Sequence, residues 1–82
     1  MSNDALRNAI SFHVARLLKE EREERGLSLN ILAQKAGLSR QAVSYIEQQV
    51  QSPSLDTLLR LTLALDVELA EIIKRAKRAA VK

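Results

Sequence analysis

The chain has 82 residues, a formal charge of +3, 46% apolar residues and only 2% aromatic ones. That length supports a single domain burying about 60–65% of its unfolded surface, with little room for a deep substrate cavity. With no cysteine, two glycines and one proline, disulfides and thiolate chemistry are excluded, and turn residues are too few for a sandwich or barrel.

The aliphatic and alanine content favours helix over sheet. Residues 5–25 form the first predicted helix, with Leu6, Ile10, Val14, Leu17 and Leu18 on one face and Gly26 as terminator. The opening MSNDALRNAI lacks the basic start and apolar core of a secretion signal. No apolar stretch approaches the roughly 18–20 residues of a membrane span. Phe12 projects from the other side with Ala5 and Ala9, either as a lone exposed apolar residue or as part of a contact with a second copy. The run Glu20, Glu21, Glu23 and Glu24 reads as a solvated helix end, with Glu21 paired to Arg25 four residues on. His13, the one histidine, reads as a partly buried helix residue with no Ser, Cys or Asp constellation around it.

Ser28 caps a short second helix at 29–36, with Leu29, Leu32, Ala33 and Ala36 inward, and Gly37 breaks it. Ser39 caps a third helix at 40–48, anchored by Val43 and Ile46. The polar loop QQVQSPS (48–54) leads to Ser54, the cap of a fourth helix at 55–65. Leu55, Leu58, Leu59, Leu61, Leu63 and Leu65 make that helix apolar on most sides, which predicts the central and most buried element. Asp66 ends it. A fifth helix runs from about 68 into the upper seventies on an inner stripe of Leu69, Ile72, Ile73, Ala76 and Ala80. The predicted fold class is therefore all-α, a compact bundle of about five helices.

The second and third helices carry a defined spacing. Ala33 must be small because the next helix crosses close to it, Gly37 permits a tight turn, and Val43 and Ile46 anchor the third helix to the second. This is the helix-turn-helix spacing, which leaves the outer face of the third helix free to enter a major groove. The stretches REERGLS (22–28), LAQKAGLSRQAVSYIE (32–47) and PSLDTLLRLTLALDVELAEI (53–72) resemble the Cro and phage-repressor (XRE-type) helix-turn-helix family. The resemblance covers about residues 14–73. It implies a lambda-repressor-like domain within one unit, 1–82, in which 1–13 lengthen the first helix and 74–82 form a basic helix end.

The resemblance places DNA readout on Ser39, Arg40, Gln41, Ser44 and Tyr45, with Gln48 at the far end. Arg40 can pair bidentately with guanine and Gln41 with adenine. Ser39 and Ser44 can donate to a phosphate or base edge, and Tyr45 can meet a phosphate or a thymine methyl. The resemblance also sets Ser28, Leu29 and Asn30, at the amide end of the second helix, near the DNA backbone. It implies an internal ion pair between Arg22 and Glu47, tying the first helix to the third.

Several residues depart from that family's pattern. Leu29 stands where a glutamine is frequent, and Gln48-Gln49 where glycine often follows the third helix. Asp66 replaces another glycine, at a position where aspartate tolerates left-handed backbone. The loop 48–54 has no charge, so near the expected face only Lys35 and Arg40 are cationic. Residues 1–25 and 26–66 each sum to zero charge. The whole excess lies in 67–82, where Lys74, Arg75, Lys77, Arg78 and Lys82 outnumber Glu68 and Glu71. That tail is either a solvated helix end or a contact for phosphate or an acidic partner.

The expected function is a sequence-specific transcriptional regulator of double-stranded DNA. The simplest form is a repressor that binds a two-fold operator as a homodimer, with the third helix (39–48) in the major groove. No catalytic set, metal-ligand set or phosphate-binding glycine loop is present, so no enzyme activity, metal or cofactor is expected. A cytoplasmic location with no membrane partner is expected. The alternative reading is an antitoxin-like or adaptor module whose main partner is another protein, such as a cognate toxin.

Overall fold

The computed structural model describes residues 2–81, and among these it holds five α-helices and no strand. The first helix, α1 (Asn3–Glu24), begins earlier than periodicity alone predicts. The cause is local: Ser2 Oγ accepts a hydrogen bond from the Ala5 amide at 3.1 Å, a cap ahead of the apolar pattern. Serines likewise open α2 (Leu29–Ala36), α3 (Arg40–Glu47) and α4 (Leu55–Ala64), each accepting from the amide three residues on. Only α5 (Leu69–Ala80) starts without a side-chain cap.

Leu18, Leu32, Val43, Leu61, Leu65 and Ile72 form the sealed centre of the core. The long helix α1 packs along α5, while α2 packs against both α3 and α4. On α5, Ile72, Ala76 and Ala80 are buried, and Leu69 and Ile73 are half-buried at the margin. No described helix is long and apolar enough to cross a membrane.

Two expectations are corrected. The fourth helix is not the most buried. Its inner side carries Leu61 and Thr62, but Leu55, Leu59 and Leu63 are 65%, 42% and 77% exposed. Their spacing of four residues gathers them on the outward side, while the neighbouring helices cover only the other side. Glu21 is not part of a solvated helix end either. It is buried, accepting from Arg25 Nη1 at 2.8 Å and from Arg75 Nη2 at 3.3 Å. Arg75 thus leaves the basic tail and ties α5 to α1. Lys82 lies outside the described residues.

Candidate nucleic-acid interface

The turn between α2 and α3 sets the geometry of the site. Gly37 caps α2 in the left-handed region, φ +69°, a conformation that penalises a side chain. A Cβ there would also lie 2.9 Å from Arg60 Nη1, so the guanidinium from α4 covers this turn. Ser39 then restarts the helix. Val43 and Ile46 turn into the core, 1% and 4% exposed, and fix the rotation of α3 about its own axis.

An ion pair holds the same helix from the other end. Arg22 Nε donates to Glu47 Oε2 at 2.7 Å and Arg22 Nη2 to Glu47 Oε1 at 3.0 Å. Arg22 Nη1 also donates to the Leu27 carbonyl at 2.8 Å. The fork therefore joins α1, the α1–α2 connection and α3 in one partly buried cluster. The Glu47 hydrogen bond, reinforced by its charge, holds the Arg22 guanidinium above its ordinary range despite burial. Neither group is available to a ligand.

With Val43, Ile46 and Glu47 committed inward, α3 turns Arg40, Gln41, Ser44, Tyr45 and Gln48 outward. Arg40, Gln41 and Gln48 are exposed, and Ser44 and Tyr45 are half-exposed. Two side-chain bonds order this surface: Gln41 Nε2 donates to the Tyr45 hydroxyl at 2.7 Å, and Gln48 Nε2 to Ser44 Oγ at 2.7 Å. Gln41 keeps its amide oxygen and a second N–H unused, the two groups needed for a bidentate adenine contact. Arg40 makes no ion pair among the described residues.

Ser28 and Asn30 lie exposed at the amide end of α2, where Ser28 Oγ accepts from the Ile31 amide. Lys35 is exposed on the same helix. Arg60 is the cation that the sequence reading did not place here. Its signal was present as Asp56 four residues earlier, and the two pair at 2.8 Å. What sequence could not show is that the Arg60 guanidinium lies against the Gly37 turn. Behind α3 the chain turns at Gln49, with φ +61°. Gln49 thus holds the left-handed conformation that glycine would adopt at no steric cost. The amides of Val50 and Gln51 then return to the Tyr45 carbonyl, at 2.8 and 3.4 Å.

Two short helices set by a glycine turn, with the second anchored inward and polar outward, define a helix-turn-helix protein. The family described as helix-turn-helix matches residues 18–72, and this chain belongs to it. The chain is 34% identical over 61 residues to the HTH-type transcriptional regulator SinR of Bacillus subtilis, a match covering 73% of this chain and 55% of SinR. It is 43% identical over 56 residues to an HTH-type transcriptional regulatory protein of Methanocaldococcus jannaschii, covering 68% of this chain and 18% of that protein. The chain thus spans about half or less of the curated relatives it matches. Among solved structures, the crystal structure of SinR in complex with DNA superposes with a TM-score of 0.68 at 34% identity, over 73% of this chain and 97% of that one.

Proposed function

We propose that the chain is a sequence-specific transcriptional regulator that binds double-stranded DNA with α3 in the major groove. The carrying observation is the outward face of α3. Arg40 and Gln41 stand exposed at its amide end, on a helix locked by Val43, Ile46 and the Arg22–Glu47 pair. A fold likeness to a SinR chain solved with DNA supports this placement. In this reading Arg40 pairs with guanine and Gln41, steadied by Tyr45, with adenine. Ser39, Ser44 and Gln48 contribute phosphate or base-edge hydrogen bonds, and the amide end of α2 with Ser28 and Asn30 meets the backbone.

Cations are sparse on this face, and phosphate neutralisation supplies most non-specific affinity. One copy therefore binds weakly, and two copies on a two-fold operator supply the remainder. Occlusion of a promoter by that homodimer makes the protein a repressor, with no cofactor and no catalytic step. A role as a protein-binding module finds its support in Phe12, which is 48% exposed on α1, and in the uncharged 48–54 loop.

Selection from a pool of random duplex DNA tests the reading. The protein is expected to enrich a two-fold motif with half-sites about one helical turn apart. The Arg40→Ala/Gln41→Ala variant is expected to lose that motif while keeping its helical spectrum. No enrichment by the folded protein would refute DNA binding by this chain alone and turn the search to a protein partner.

A further inference from the structure

We propose that the outward face of α4 is the surface through which two copies of this chain pair on DNA. The proposal rests on the DNA-binding reading only for its setting, since the face itself is defined by α4. Leu55, Leu59 and Leu63 lie one above another at four-residue intervals, 65%, 42% and 77% exposed. They span about 12 Å of helix. Asp56 and Arg60 line one flank of the stripe and pair with each other at 2.8 Å.

This pattern complements itself. In an antiparallel pair of α4 helices centred on Leu59, Leu59 meets Leu59 of the second copy and Leu55 meets Leu63. An antiparallel two-fold axis runs perpendicular to the plane of the two helices, so it returns each flank to its own side. Asp56 of one copy therefore lies on the same flank as Arg60 of the other, offset by about 3 Å along the helix. Each carboxylate can bridge to the guanidinium of its own chain or of the second copy. Another apolar margin, on α5 at Leu69 and Ile73, is edged by Lys74, Lys77 and Arg78. A like copy would meet like charge there.

The same symmetry suits one duplex. Arg60 covers Gly37, at the entry to α3. Because the Arg60 flank keeps its side under the two-fold operation, both α2–α3 turns fall on the same side of the pair. The face is small beside an ordinary interface, which engages about 20–30 residues on each partner. Pairing is accordingly weak in free protein and is completed on DNA.

The absence of cysteine makes the test direct. Leu59→Cys places one thiol on the proposed axis, and Gln34→Cys places one on the exposed side of α2 as control. On mild oxidation of the full chain, pairing raises the local thiol concentration, and Leu59→Cys is expected to form disulfide-linked dimer at least about tenfold faster than the control. Adding Leu63→Glu is expected to slow it towards the control rate. Equal rates for the two cysteines, or no effect of Leu63→Glu, would overturn the proposal. The cross-linked dimer is then titrated with the two-fold duplex selected by the unmodified chain. Binding at least as tight as that of the reduced form is expected, and loss of binding would overturn pairing on DNA through α4. If no duplex is selected at all, the DNA reading fails while the cross-linking rates still decide the pairing face.

Discussion

The helices α3 and α4 are built alike and finished differently. Each is opened by a serine whose hydroxyl accepts from the third amide on, Ser39 from Ala42 and Ser54 from Thr57. Each anchors one side in the core, through Val43 and Ile46 or through Leu61 and Thr62. Each presents outward the same register: Arg40, Gln41, Ser44, Tyr45 and Gln48 on α3, and Leu55, Asp56, Leu59, Arg60 and Leu63 on α4. The first set offers hydrogen-bond donors and acceptors that are inexpensive to solvate and suited to base edges. The second leaves apolar surface in water, which a macromolecular partner would remove. Helical register decides which residues face outward, and only side-chain chemistry decides what they meet.

The sharpest attempt to break this contrast compares two leucines two residues apart on α4. Leu61 is 2% exposed and Leu63 is 77% exposed. Leu61→Ala is expected to cost about 2–5 kcal/mol of stability through the lost burial and the cavity left behind. Leu63→Ala is expected to stay within about 0.5 kcal/mol. Urea unfolding of both variants checks this, and comparable losses would mean that the α4 stripe is part of the core.

A smaller effect probes the frame that holds both helices. Burial raises the Glu21 carboxyl, but hydrogen bonds from Arg25 and Arg75 outweigh it and leave the group below its ordinary value of 4.5. A lowered value in the folded state means stability that is complete above about 4.5 and is lost as pH falls through the lower folded value. Thermal melts from pH 6 down to pH 3 (roughly the range in which carboxylates titrate) are expected to show this acid loss. Glu21→Gln is expected to flatten it. An unchanged acid profile in that variant would remove Glu21 as the link between α1 and α5.

The smallest effect lies in the loop that joins the two faces. Gln49 adopts φ +61°. Gln49→Gly is expected to relieve about 1 kcal/mol of backbone cost and raise the midpoint of thermal unfolding without changing duplex binding. A lower midpoint would show that the Gln49 side chain contributes more than its backbone costs.

Most of the helical layout was legible in the sequence because its punctuation is local. Ser28, Ser39 and Ser54 cap, while Gly26, Gly37 and Asp66 carry positive φ at or just beyond the helix ends. The outward set on α3 was legible from the family resemblance and the 3.6-residue period together. The character of α4 was not, because a leucine reads as apolar whether or not a neighbour covers it. The charged pair Asp56 and Arg60 marks one outward flank, but Thr62 is polar and buried, so polarity alone does not separate the two sides. The Glu21–Arg75 bond joins residues 54 apart. Nothing local in either segment marks the other, and a glutamate in an acidic run resembles solvated surface until α5 is packed on it.

The division between the two faces is tested most directly by fluorescence anisotropy on two duplexes, one carrying a single half-site of the selected motif and one carrying both. Arg40→Ala/Gln41→Ala removes two bidentate contacts worth about 1–3 kcal/mol each, so it is expected to weaken binding to both duplexes. Leu59→Glu is expected to leave the half-site affinity unchanged and to weaken only the two-site complex. If Leu59→Glu weakened both duplexes equally, or the α3 variant neither, the assignment of DNA to α3 and of the second copy to α4 would be contradicted.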